Sequence, residues 1–171
     1  MNSSTGLPSD RSEQENPHKG DILVVDDKPN NLRLLNIMLG KNGYKVREAT
    51  SGQIALQEVH THPPDLILLD ILMPEMNGYE VCRQLKASAS TAVIPIIFLS
   101  ALNDTFDKVK AFEAGGVDYI TKPFQLQEVL ARVKTQLILR RQQVMLQEEI
   151  CDRQKAETSL QEVNLTLEQR V

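Results

Sequence analysis

Between Asp21 and Pro123, short apolar runs alternate with longer amphipathic stretches, and this alternation leaves few folds open. The runs are "DILVVDD" (21–27), "YKVREA" (44–49), "DLILLD" (65–70), "IPIIFLS" (94–100) and "VDYITKP" (117–123). Between them lie "NNLRLLNIMLGKNG", "SGQIALQEVHTH", "NGYEVCRQLKAS" and "DTFDKVKAFEAGG", with apolar residues at helical spacing. In the last of these, Val109, Phe112 and Gly116 are expected on one helix face. Ser51, Asn77 and Asn103 are residue types that start helices, and Gly43 and Gly115–Gly116 are types that close them. Strand–helix alternation of this length predicts βαβ units and an α/β fold with a parallel sheet. Continuous apolar runs predict strands covered on both faces. The second run instead alternates Tyr44, Val46 and Ala49 with Lys45, Arg47 and Glu48, as a half-exposed edge strand does. The expectation is five strands, doubly wound, with the second at an edge.

After Phe124 the pattern changes. No Pro or Gly occurs from Gln125 to Val171, which predicts one helix of about 45 residues and about 70 Å. Leu126, Val129, Leu130 and Val133 are expected to pack on the sheet. Further on, Leu139, Leu146, Leu160 and Leu167 keep a seven-residue register in which Arg153 fills the missing place. Ile150, Val163 and Val171 add a second, less regular row. A polar helix of this kind is marginal alone in water, so the seam is expected to bury itself against a second helix. Ahead of the first run, "MNSSTGLPSDRSEQENPHKG" has no apolar core for a secretory signal, and residues 1–19 are expected to be a disordered lead-in.

Four strand ends carry the chemistry. The first run ends in Asp26 and Asp27, the third in Asp70, the fourth in Ser100 and the fifth in Lys122. In an open parallel sheet these ends share one edge, where ligands bind at the point of strand-order reversal. Taken singly, each has an ordinary explanation as a cap, a turn or a surface residue. Their recurrence at equivalent ends is what points to a site. Three neighbouring carboxylates repel and titrate as a coupled set, which a hard divalent cation relieves. Oxygen ligands without His or Cys point to Mg2+. Asp26 and Asp27 are then cation carriers, and Asp70, in mid-sheet, is the candidate nucleophile for a phosphoryl group. Lys122 and the Ser100 hydroxyl would bind phosphoryl oxygens. An aspartate-nucleophile phosphohydrolase would commonly carry a second Asp two residues on, where this chain has Leu72.

Composition bounds the alternatives. The formal net charge of -4 gives no basic footprint for nucleic acid, and no apolar run approaches membrane-spanning length. Cys82 and Cys151 stand far apart in two helical stretches, suggest neither a disulfide framework nor a zinc site, and suit a reducing cytoplasm. His60 and His62, and Met38, Met73 and Met76, read as loop and packing residues.

"VVDD", "LLDILMPEMNG", "FLSA" and "DYITKPF" together resemble the receiver domain of two-component response regulators, over residues 20–136. The resemblance implies a flavodoxin-like sheet of order 2-1-3-4-5. It implies that Asp70 accepts phosphate from a sensor histidine kinase or phosphotransfer protein. Mg2+ would be held by Asp26, Asp27, Asp70 and the backbone carbonyl of Leu72. Lys122 would contact the phosphoryl group and precede a cis Pro123, and Ser100 and Tyr119 would be a switch pair. Residues 137–171 resemble helical connectors ahead of histidine-kinase or nucleotide-cyclase output domains. They imply a parallel homodimer through this helix, in a chain expected to continue beyond Val171. A chain that is mainly a dimerisation module is the competing reading.

Overall fold

The computed structural model describes residues 19–101 and 108–169. The expected lead-in up to residue 18, Leu102, Asn103 and Val171 lie outside the described residues. Lys19, the last residue of that expected lead-in, donates its backbone N–H to Gly43 at 3.0 Å and so belongs to the folded body.

Five parallel strands form one sheet: β1 (Asp21–Val25), β2 (Lys45–Ala49), β3 (Leu66–Asp70), β4 (Ile96–Ser100) and β5 (Asp118–Thr121), in the order β2-β1-β3-β4-β5. β2 is an edge strand, as its alternating pattern predicts. β3 and β4 are buried along their whole length. The helices are α1 (Pro29–Gly40), α2 (Gly52–Thr61), α3 (Gly78–Lys86), the short α4 (Ala89–Ala92), α5 (Lys108–Glu113) and the long α6 (Leu126–Glu168).

Residue parity in the strands builds two cores. Leu23, Val25, Ile67, Leu69, Ile96 and Phe98 face one side with residues of α2, α3 and α5. Ile22, Val24, Leu66, Leu68, Ile97 and Leu99 face the other, under α1 and α6. This is the doubly wound arrangement, because successive strand side chains point to opposite faces.

Local signals account for the helix starts. Ser51 caps α2 by accepting the Ile54 N–H at 3.2 Å. Asn77 caps α3 in a capping box: its Oδ1 accepts from Glu80 N at 3.0 Å, and Glu80 Oε2 accepts from Asn77 N at 3.2 Å. Gly43 and Gly115 adopt positive φ angles of 90° and 108° just past α1 and α5. The expected face of α5 is wrong. Val109 and Phe112 are 64% and 53% exposed, whereas Ala111 and Ala114 are buried. The reason is close approach: a Cβ on Gly116 would stand 2.4 Å from the Phe98 ring, so only small residues fit between α5 and the sheet.

α6 matches the single helix expected after Phe124. Val129, Val133 and Leu137 are buried on the sheet and Leu130 packs beside them, but Leu126, expected there too, is 39% exposed. Contact with the body runs past residue 136: Leu137 covers Gly20, Arg140 donates to the Val93 carbonyl, and Arg141 donates to the Lys19 carbonyl. From Arg141 to Gln169 every residue is exposed, Leu146, Leu160 and Leu167 among them. Among the described residues no helix is long and apolar enough to cross a membrane.

Candidate functional site

β1, β3, β4 and β5 all deliver polar residues to the same sheet edge because the sheet is parallel and the strands are in register. Asp26 follows β1 directly and is fully buried. Asp70 ends β3 and Ser100 ends β4, at 3% and 2% exposure. Carboxylate oxygens of Asp26, Asp27 and Asp70 lie within 4.8 Å of one another. The Lys122 ammonium sits 3.1 Å from both Asp26 Oδ2 and Asp70 Oδ1. The Lys122 backbone N–H donates to the Ser100 carbonyl at 2.7 Å, and the Lys122–Pro123 peptide is cis.

The three carboxylates are not equivalent. Both Asp26 oxygens are already engaged. Oδ1 accepts from the Lys28 backbone N–H at 2.9 Å, and Oδ2 accepts from the Asn31 amide at 3.0 Å beside Lys122. Asp27 Oδ1 is buried with no hydrogen-bond partner. Among the described residues Asp70 shares its charge only with Lys122. Burial, and then the nearby Asp26 charge, raise the Asp70 carboxyl to about 6, against the opposing pull of Lys122; Asp27 adds a smaller push upward. Burial works to lower the Lys122 ammonium, but Asp70 and Asp26 outweigh it and hold it above its usual value.

An all-oxygen donor set, an unsatisfied buried carboxylate oxygen and an Asp70 reluctant to ionise fit a hard divalent cation. Asp27 and Asp70 have the spare oxygens to bind it, while Asp26 is tied down by Lys28, Asn31 and Lys122.

The loop after β3 packs tightly against the Asp70 backbone. Gly78 approaches so closely that a Cβ there would stand 2.3 Å from the Asp70 carbonyl oxygen, and its N–H donates to Ile71 O at 2.8 Å. Glu75 takes a φ of +69°, which tightens the turn. Leu72 lies in this loop with its side chain 58% exposed. Tyr119 pairs with Phe98 across the β4–β5 ladder and is half-buried. Its ring lies 5.0 Å from the Lys108 ammonium and 5.8 Å from the Arg132 guanidinium, and both Arg132 contacts to Asp118 are 2.8 Å.

Asp26, Asp27, Asp70 and Lys122 are therefore brought together, with Ser100 on the adjoining strand end. Leu139, Leu146, Leu160 and Leu167 are remote from them on α6. Asn31 was missed by sequence reasoning. Only the position of Asn31 in the first turn of the helix after Asp26–Asp27 could have signalled its role.

Residues 22–134 match the family model described as the response regulator receiver domain. The chain is 46% identical over 123 residues to the alkaline phosphatase synthesis transcriptional regulatory protein PhoP of Bacillus subtilis, covering 72% of this chain and 50% of that one. It is 43% identical over 121 residues to the response regulator ArlR of Staphylococcus aureus, covering 71% and 53%. The chain thus spans about half the length of the curated relatives it matches. Among solved structures, a response regulator from Chloroflexus aurantiacus superposes with a TM-score of 0.67 at 39% identity, covering 70% of this chain and 98% of that one. The receiver domain of a signal transduction histidine kinase from Syntrophus aciditrophicus gives 0.64 at 39% identity, covering 69% and 89%. Sequence, sheet order and the acidic edge agree, and the chain belongs to the response regulator receiver family.

Proposed function

We propose that Asp70 is the phosphoacceptor of a signalling switch, loaded from the phosphohistidine of a sensor kinase or phosphotransfer protein. The observation that carries this reading is the convergence of three carboxylates within 4.8 Å, with Lys122 bridging two of them. Asp70 attacks phosphorus through a carboxylate oxygen, the donor imidazole leaves with the bonding pair, and an aspartyl phosphate results. Lys122 steadies the charge on the transferring oxygens, and the Ser100 hydroxyl donates to another. Asp27 and Asp70, with the Leu72 carbonyl and the remaining lone pairs of the already engaged Asp26, would hold Mg2+, which would supply further charge neutralisation. The chain is not an enzyme acting on a separate substrate in this reading, because Leu72 stands where a phosphohydrolase would keep its second acid. Two free cysteines and a net charge of -4 suit a cytoplasmic protein that does not itself grip nucleic acid.

Incubation with Mg2+ and a small phosphodonor should add one phosphate per chain, and none in Asp70→Asn. Equal labelling of the variant would refute the assignment.

The exposed row Leu139, Leu146, Leu160 and Leu167 supports a second element: a parallel homodimer through residues 137–171, whose helix pair carries the switch to an output. Leu146→Asp with Leu160→Asp should convert a dimer to a monomer by sedimentation, with phosphate labelling retained.

A further inference from the structure

We propose that Arg153 and Glu157 form an ionic layer between two copies of this chain, each arginine meeting the glutamate of the other copy, and that this layer fixes the α6 pair in register. The proposal rests on the homodimer reading above and adds what selects the alignment.

The seam of α6 has two rows. One is Leu139, Leu146, Arg153, Leu160 and Leu167; the other, four residues on at each step, is Gln143, Ile150, Glu157, Asn164 and Val171, with Val163 one residue to its side. Leucine in the first row with the β-branched Ile150 and Val171 in the second suits a two-stranded parallel pair, and polar residues in the second row, here Gln143, Glu157 and Asn164, set register. In a parallel, in-register pair each layer meets its own kind: leucine on leucine, Gln143 on Gln143, Asn164 on Asn164, and also Arg153 on Arg153 and Glu157 on Glu157, two adjacent layers of opposite charge. The knob at Arg153 then enters a hole bounded by Ile150, Arg153, Gln154 and Glu157 of the other helix, and the Glu157 carboxylate answers the two guanidinium charges that meet there. Two-fold symmetry makes that contact twice.

Other alignments fail at this layer or beside it. A slip of seven residues sets Arg153 against Leu146 or Leu160 and Glu157 against Ile150 or Asn164, burying charge without a counter-charge. An antiparallel pair can match Arg153 to Glu157, but it then sets Asn164 against Leu146 and Gln143 against Leu167, leaving amides unpaired.

The single chain leaves these side chains available. Arg153 touches Glu149 at 3.3 Å in an i,i+4 pair whose side chains are 78% and 61% exposed, so this contact holds it weakly. Among the described residues Glu157 has no ion-pair partner in its own chain. Leu139 lines a cavity of about 460 Å³ between α6 and the body with Val93, Pro95 and Val117, and Leu146 lines the neighbouring one with Val93 and Arg140. The pairing seam is therefore clear of the body around Ile150 to Leu167, with the ionic layer near its start.

The test uses the full chain in sedimentation equilibrium. Arg153→Glu makes the layer wholly acidic and Glu157→Arg makes it wholly basic, so each alone should weaken self-association by at least about tenfold. An equimolar mixture of the two should restore a dimer, now a heterodimer, near wild-type affinity. Loss of helicity within one chain cannot produce that rescue. With Cys151 replaced by serine, Leu160→Cys should form an interchain disulfide on oxidation, because the parallel pair apposes the two positions and the antiparallel pair above does not. A wild-type dimer whose single variants associate unchanged, or a mixture that stays dissociated, overturns the ionic layer alone. Absence of the Leu160→Cys crosslink overturns the parallel register. A wild-type chain that remains monomeric overturns the homodimer reading and this inference with it.

Discussion

With its carboxyl raised to about 6 against the ordinary 3.8, Asp70 binds its proton more tightly in the folded chain than in the unfolded one. The sign of the pH effect follows: the native state is penalised as Asp70 ionises. The penalty is absent below about pH 4, grows as pH rises to about 6, and is constant above, at about 3 kcal/mol or less. Asp70→Asn removes that charge while Lys122 keeps Asp26. The variant should therefore unfold at higher denaturant than wild type at pH 7.5 and lose that advantage toward pH 4. A variant less stable than wild type at pH 7.5 would contradict the reading. Mg2+ should narrow the gap by stabilising wild type more than the variant, by about 2.7 kcal/mol when free Mg2+ is a hundredfold above its dissociation constant. Asp26, Asp27, Asp70, Ser100 and Lys122 were legible in the sequence because each ends an apolar run, and strand ends in a parallel sheet share an edge. Asn31 was not legible, because an asparagine in a first helical turn is ordinarily solvated and only the fold aims its amide at Asp26.

The element that presents Asp70 is the loop from β3 into α3, and its stability depends on two adjacent residues. Asn77 closes the capping box, so Asn77→Ala should cost about 1 kcal/mol, read from chemical denaturation. Gly78→Ala should cost more, because the new Cβ meets the Asp70 carbonyl oxygen and the backbone on both sides must move. It should also slow phosphate labelling, which Asn77→Ala should leave nearly intact; equal labelling rates in the two variants would separate the loop from the chemistry. The cap at Asn77 was readable because Asn–x–x–Glu is a local signal. The small-residue face of α5 was not. Val109 and Phe112 sit at helical spacing as a buried face would, but the Phe98 ring excludes anything larger than glycine at position 116 and brings alanines inward. Helix periodicity identifies a stripe; which stripe turns inward is decided by the width of the gap, and that is a property of the partner strand.

At the scale of the whole molecule, the site and the exposed end of α6 are joined by one continuous path. Lys122 follows β5 directly, α6 begins four residues later, and α6 packs Val129, Val133 and Leu137 on the core that holds Ile97, Leu99 and Ile120. Arg132 ties the first turns of α6 to β5 through its two 2.8 Å contacts with Asp118, and its guanidinium lies 5.8 Å from the Tyr119 ring. Under the proposed switch, a Tyr119 that moves when Ser100 turns toward a phosphoryl oxygen would disturb the group that anchors α6. In the proposed homodimer the long helix would convert a small rotation at this anchor into a larger displacement at its far end, and the helix pair would be the bistable element it biases. Cys151 offers a native handle for measuring this. It is exposed on α6, whereas Cys82 is buried, donates to the Ala114 carbonyl at 3.2 Å, and has its thiol pushed up to about 11 by burial. A spin label on Cys151 should report one interchain distance in the free dimer and a different one, by a few ångströms, after phosphorylation. In Arg132→Ala the phosphate should still load on Asp70, but the distance change should shrink or vanish. Unchanged distances in the wild-type chain would mean that α6 is a passive tether, and a full change in Arg132→Ala would move the coupling from the Asp118–Arg132 anchor to the Val129–Leu137 packing face.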